Sequence, residues 1–255
     1  RCILLQSISI PSSVTSIGYS AFADCSLLEE INISSSLTKI EFYTFENCSR
    51  LKKITIPSSV ISIEKNAFDR CNSLTTVNWD SNPSVSSFGT CVFKDCSSLK
   101  EIKIPPFLKS IEKNTFQNCS SLCKVEIPSS IEKIDDYAFN GCNQLTEVIF
   151  DSNSSVKIFG NCSFIGCSSL TQIFIPSSLT KIENNAFKDC CSLKQMTIPS
   201  SVISIGDYVF CGCKSLTNVS FEAHSSISFV GRSIFDGCLS LSQITIPSSL
   251  NSEQS

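Results

Sequence analysis

Sixteen cysteines and a single histidine are the residues of this chain with the most chemistry to offer. A thiolate can attack a carbonyl or a disulfide or ligate zinc, and an imidazole beside a thiol or hydroxyl makes a nucleophile. Spacing decides which of these applies. Eleven of the cysteines recur at one place in a repeated segment: 2, 25, 48, 71, 96, 119, 142, 167, 190, 213 and 238. If such segments stack in register, neighbouring Cβ atoms lie about 4.8 Å apart, whereas a disulfide wants about 3.8 Å. The spacing therefore favours a ladder of reduced, buried thiols over a disulfide framework, each thiol acting as a small apolar residue with a weak donor. The other five are Cys91, Cys123, Cys162, Cys191 and Cys211. Cys91 and Cys162 are equivalent positions three segments apart, about 15 Å by stacking, and cannot pair. Cys191 and Cys211 fall on adjacent segments, which leaves one bridge open. Their CC and CxC spacings are not those of a structural zinc site, and no histidine accompanies them.

His224 lies in Glu222-Ala223-His224-Ser225-Ser226. Its serine neighbours recur in every segment as turn residues, so it reads as a solvated loop histidine and not as half of a dyad. Glu29-Glu30 and Asp135-Asp136 are adjacent carboxylates of surface character, and no glycine-rich phosphate loop occurs. No catalytic group, cofactor or metal is expected. Asn-x-Ser sequons stand at Asn32, Asn47, Asn118, Asn153, Asn161 and Asn218, and Asn153 is expected to be the most accessible. With 20 basic and 23 acidic residues the net charge is −3, which argues against a nucleic-acid partner and gives no attraction to anionic lipid. No run approaches the roughly 20 apolar residues of a membrane span.

The elements that hold these residues follow from one repeated phrase, Cys-x-x-Leu-x-x-Ile-x-Ile, usually followed by Pro-Ser-Ser. It starts as Cys2-Leu5-Ile8-Ile10, returns as Cys25-Leu28-Ile31-Ile33 and ends as Cys238-Leu241-Ile244-Ile246. A fixed period of this length marks a solenoid. Equivalent positions are 23 residues apart except at Trp79 to Ile104, Phe150 to Ile175 and Phe221 to Ile246, where they are 25 apart. Three coils thus make a 71-residue unit. Leu-x-x-Ile-x-Ile sets two Ile side chains on one face of a strand. Pro11, Pro57 and Pro128 end the strand because proline cannot donate to a ladder, and the serines suit the turn. A short return strand follows, as at Val14-x-x-Ile17. The three-residue steps of Ala21-Phe22-x-x-Cys25-x-x-Leu28 then suggest a turn of 3₁₀ or α-helix. Phe22, Phe45, Phe68, Phe93, Phe116, Phe139, Phe164, Phe187, Phe210 and Phe235 should stack as a spine. Residues 1–255 read as one array of about ten coils and, lacking a polar capping coil, as a segment of a longer protein.

The coil Ile-Pro-Ser-Ser-Val-x-x-Ile-x-x-x-x-Phe-x-x-Cys-x-x-Leu-x-x-Ile closely resembles the BspA-like leucine-rich repeat, and the resemblance covers essentially the whole chain. It implies a leucine-rich-repeat solenoid, mainly β, with a parallel concave sheet, short convex strands, turns and at most one-turn helices. The family occurs in microbial and protist surface proteins, many resembling adhesins. The resemblance therefore implies a non-catalytic recognition or adhesion module, on the cell surface or secreted, binding host, matrix or other cell-surface proteins. The alternative is an intracellular scaffold or regulatory interaction array in the cytoplasm, which the many free thiols suit. The chain departs from the family's coil where Pro gives way to Asp80, Asp151 and Glu222.

Strand parity exposes two columns on the concave sheet. One includes Glu101, Lys124, Glu147, Gln172 and Gln195, and the other Asn78, Lys103, Glu126, Ile149, Phe174 and Thr197. Most of this surface is polar with mixed charge. Ile149 beside Phe174 is the apolar exception, and with Glu126, Lys103, Glu147 and Gln172 around it the pair reads as a protein-binding anchor. The loops 80–85, 151–156 and 222–227 are second candidates.

Overall fold

In a computed structural model, which describes residues 2–245, the chain winds into a parallel β-solenoid. Ile246 and the tail after it lie outside the described residues, as does Arg1. Most coils contribute a front strand such as Lys53–Ile56 or Lys124–Ile127, a two-residue back strand such as Ser62–Ile63, and a turn segment that closes the coil. The return strand expected at Val14 to Ile17 does not form in the first coil, which has a neighbour on one side only. Front strands alternate exposed and buried residues, as in Lys53–Ile56 and Gln195–Ile198, so the Ile side chains point into the core as strand parity requires.

The turn segments form the most regular side. Ten phenylalanines from Phe22 to Phe235 stack face to face, with successive ring centroids 5.3 to 5.9 Å apart. Beside them runs the cysteine ladder. Cys119 Sγ donates to the carbonyl of Phe93 in the preceding coil at 3.1 Å, and the same bond recurs from Cys48 to Cys238. Each of these Phe carbonyls also accepts a backbone N–H from its own coil, as Phe93 O does from Cys96 at 3.2 Å. The thiol therefore satisfies the second lone pair of a buried acceptor, which an alanine of similar size could not do.

No described residue of the turn segment is helical. Backbone geometry supplies the reason: the residues two before and two after each spine phenylalanine have positive φ, as Asn114 (60°) and Asn118 (59°) do around Phe116. Asn, Asp and Gly occupy many of these places because they tolerate the left-handed region best. Two left-handed residues per coil break any helical run. They turn the N–H groups toward the next coil, where Phe116 N–H meets Ala138 O at 2.8 Å.

The back ladder is the less interrupted of the two, broken among the described strands only between Ser87–Phe88 and Ser110–Ile111. At the back, strands from Ser110–Ile111 to Phe229–Val230 form one six-stranded sheet that crosses two of the 25-residue steps without a break. The two extra residues of each expanded coil are absorbed before this strand is reached. Gly89 and Gly160 follow such steps, and Gly89 approaches the preceding coil so closely that a Cβ there would lie 2.3 Å from Lys65 N. The front sheet, expected to be continuous, is interrupted. Thr76–Trp79 does not pair with Glu101–Lys103, and the segment 172–175 forms no strand, although Gln-Ile-Phe-Ile fits the strand pattern. Both of these interruptions follow an expanded step, but Glu30–Asn32 and Lys53–Ile56 are also unpaired across an ordinary 23-residue step. At the third step Asn218–Phe221 still pairs with Gln243–Ile244.

Candidate functional site

Lys103, Glu126 and Ile149 stand side by side on three paired front strands, with Glu126 opposite both Lys103 and Ile149. Glu147 is opposite Lys124. Gln172 and Phe174 continue these columns but lie on the segment that leaves the sheet. Phe174 is 77% exposed, whereas Ile149 is half-buried. The charges partly neutralise one another: Lys124 Nζ lies 3.3 Å from Glu126 and 3.7 Å from Glu147. These side chains are well exposed, so the pairs add little stability. Lys103 makes no ion pair among the described residues.

Two of the breaks in the front sheet open clefts. The one between Thr76–Trp79 and Glu101–Lys103 has a volume of about 350 Å³, with Lys124 and Glu126 on its rim. The one between Glu147–Phe150 and Phe174 is smaller, about 120 Å³. A larger bay of about 670 Å³ lies between the expanded loops 80–85 and 151–156. Trp79 and Pro83 form one wall, Ile149 and Asp151 the other, and Pro105-Pro106-Phe107 with Pro128 the floor. Trp79 Nε1 donates to Lys103 O at 2.7 Å, which fixes the indole across the gap between unpaired strands. Phe107 is 61% exposed. The columns read from sequence contain Lys103, Glu126 and Ile149 but miss Trp79 and the Pro-Pro-Phe floor. Their signal was present: Trp79 is the chain's one tryptophan, and Pro106-Phe107 replaces the Ser-Ser of the usual turn.

Other residues with chemical potential find structural uses. His224 is exposed at φ 58°, a left-handed turn residue of the third loop. The side-chain amides of Asn47, Asn118 and Asn161 donate to Asp24, Asp95 and Asp136 of the preceding coil at 2.9, 2.8 and 3.0 Å, which places three of the sequons in coil-to-coil contacts. Asn153 is exposed on the second loop. Cys191 and Cys211 are free, half-buried thiols, and Cys191 Sγ faces Gly212 O at 3.6 Å. Cys162 shares a hydrogen bond with the Tyr137 hydroxyl. Burial drives the ladder thiols from Cys48 to Cys238 up, Cys48 to about 12, so they are protonated and poor nucleophiles at neutral pH. Asp69 is buried, with Oδ2 held by Asn66 Nδ2 at 2.7 Å and Oδ1 unpaired. Burial raises its pKa, and burial followed by the nearby Asp69 charge raises that of Glu46 on the preceding coil. Among the described residues no group of three or more His, Cys, Asp or Glu is placed to hold a metal ion.

This stack of coils, with its repeated Phe and Cys, defines a leucine-rich-repeat solenoid. The chain belongs to the BspA type leucine-rich repeat family, whose repeat region matches at residues 1–84, 78–191 and 150–255. It is similar to a Treponema pallidum leucine-rich repeat protein of known structure, with 26% identity, 74% of this chain and 78% of that one covered, and a TM-score of 0.53. The pneumococcal vaccine antigen PcpA shares the fold at 22% identity, with 94% of this chain and 67% of that one covered and a TM-score of 0.55. A leucine-rich cell surface protein of Faecalibacterium prausnitzii is 27% identical over 97% of this chain and 81% of its own, with a TM-score of 0.48. No curated protein sequence matches. Membership makes the chain a repeat array of the protein-interaction kind, from a family and fold that are generally non-catalytic. No helix among the described residues is long and apolar enough to cross a membrane.

Proposed function

We propose that this array is a non-catalytic recognition or adhesion module of a cell-surface protein, and that it binds host, matrix or other cell-surface proteins through its front face. The observation that carries this reading is Phe174, 77% exposed at the break in the front sheet beside Ile149. A large aromatic in water next to an aliphatic partner, ringed by Glu147, Gln172, Glu126 and Lys103, has the composition of an interface anchor with a polar rim. The resemblance to surface proteins of microbes and protists supports the location.

The test uses the immobilised array, challenged with matrix and host-cell surface extracts. Proteins retained by the native chain should be lost from Phe174→Glu at unchanged melting temperature. Equal retention by both would remove Phe174 as the anchor. Labelling of intact cells with a membrane-impermeant reagent should reach the full-length product; failure to reach it would place the array inside the cell.

A further inference from the structure

We propose that the bay between loops 80–85 and 151–156 binds an extended peptide through a lysine or arginine side chain, a proposal that rests on the protein-recognition reading and gives that surface a ligand chemistry. The floor departs from the repeat in one direction only. Pro106 and Phe107 stand where Ser-Ser stands in most coils, and Phe107 remains 61% exposed, so its ring adds little to the core. An apolar floor facing water gains free energy when a ligand covers it.

The walls select the ligand's charge. Trp79 has its indole N–H engaged with Lys103 O at 2.7 Å, so it offers a ring face and no donor. Aromatic faces attract cations, and two of them, Trp79 and Phe107, line one bay. Glu126 and Asp151 also line it. Asp151 makes no ion pair among the described residues, and Glu126 has only the exposed Lys124 at 3.3 Å. A lysine or arginine side chain meets all of these at once: its apolar stem crosses proline and aromatic surface while its head reaches carboxylate. Lys103 is the one cation of the lining and sits two coils, about 10 Å, from Asp151. It therefore directs an incoming positive charge toward the Asp151 wall. The volume of 670 Å³ suits a short stretch of peptide.

The 71-residue period supplies an internal control. The next bay along has Phe150, Phe174, Ser177, Ser178, Thr197 and Glu222 where the first has Trp79, Lys103, Pro106, Phe107, Glu126 and Asp151. Its cleft is only about 290 Å³. It keeps one carboxylate and loses the tryptophan, the exposed floor and the second acid. The ligand chemistry is thus particular to the first bay and does not follow from the fold.

The experiment selects a phage-displayed library of random ten-residue peptides on the whole chain. It then compares binding to Pro106→Ser with Phe107→Ser, to Asp151→Asn, and to Phe174→Glu. The serine pair restores the repeat's own turn, so the fold should persist, which the melting temperature checks. Selected peptides should be rich in Lys or Arg beside an apolar residue. They should bind about ten-fold more weakly to the first two variants and unchanged to Phe174→Glu. No enrichment, enrichment in acidic peptides, or equal binding to the serine variant would overturn the proposal. A protein partner lost with Phe174→Glu but indifferent to the serine pair would sink the bay and leave recognition by the front face standing.

Discussion

The turn side of the solenoid and its front side are built from the same number of coils, yet they obey different rules. On the turn side the coils repeat Phe and Cys, each ring stacking on its equivalent in the adjacent coil and each thiol from Cys48 to Cys238 donating to the Phe carbonyl of the preceding one. A substitution there is felt in two coils at once, so the residue type is tightly constrained. On the front side the outward residues meet water, and their identity changes from Lys103 to Glu126 to Ile149 to Phe174. The front ladder can even break at two expanded steps, because the phenylalanine stack and the turn-side backbone hydrogen bonds, such as Phe93 N–H to Thr115 O at 2.9 Å, keep the coils in register. Coil-to-coil contacts are thereby concentrated on the turn side, while the outward front residues can vary without loss of them, and the proposed recognition would use that freedom.

Substitutions graded by effect test this division. Phe139→Ala removes stacking on Phe116 and Phe164, both at 5.3 Å, and opens a cavity. It should cost about 3–5 kcal/mol in a denaturant titration. A cost below about 1 kcal/mol, the range of a surface change, would break the comparison. Cys142→Ala deletes a buried sulfur and the bond to Phe116 O at 3.2 Å, and a loss of about 1–2 kcal/mol is expected in the same titration. Asp69→Asn should act with the opposite sign. Burial raises the Asp69 pKa, so its contribution to stability is full below the ordinary value of about 3.9 and is lost as pH rises through the folded value. The variant should melt above the native chain at pH 7, and the gap should close near pH 3; a gap independent of pH would assign the effect to packing. Phe174→Glu, on the other side, should change stability by less than about 0.5 kcal/mol while it abolishes partner binding.

The regular side of the molecule was legible in the amino-acid string because stacking places like residues on like. A 23- or 25-residue spacing between phenylalanines is enough to draw the spine, and parity is enough to place Ile54 and Ile56 inside. The carbonyl acceptors of the thiols were not visible, since they depend on where the left-handed residues aim the backbone. Those same residues explain why three-residue steps gave turns instead of a helix. The segment 172–175 fits a strand as well as Lys53–Ile56 does, so its departure from the ladder is not visible in the residue pattern. The bay escaped for a different reason. Trp79 is at an inward strand position, Phe107 in a turn and Ile149 in an outward column, so no single column contains it. Of the columns' own candidates, Lys103, Glu126 and Ile149 line that bay, while Glu147 and Gln172 flank the smaller cleft beneath Phe174.

Thiol labelling of the native chain, read residue by residue by mass spectrometry, tests the in-register stack most directly. Cys2 and Cys123 are exposed, whereas Cys71, Cys96, Cys119, Cys142, Cys167 and Cys190 are fully enclosed and protonated, their pKa values held high by burial. At pH 8 the first two should react promptly and the enclosed six only on unfolding. Enclosed thiols that label as fast as Cys123 would mean that the coils do not stack as described, and the separation of core from recognition surface would go with them.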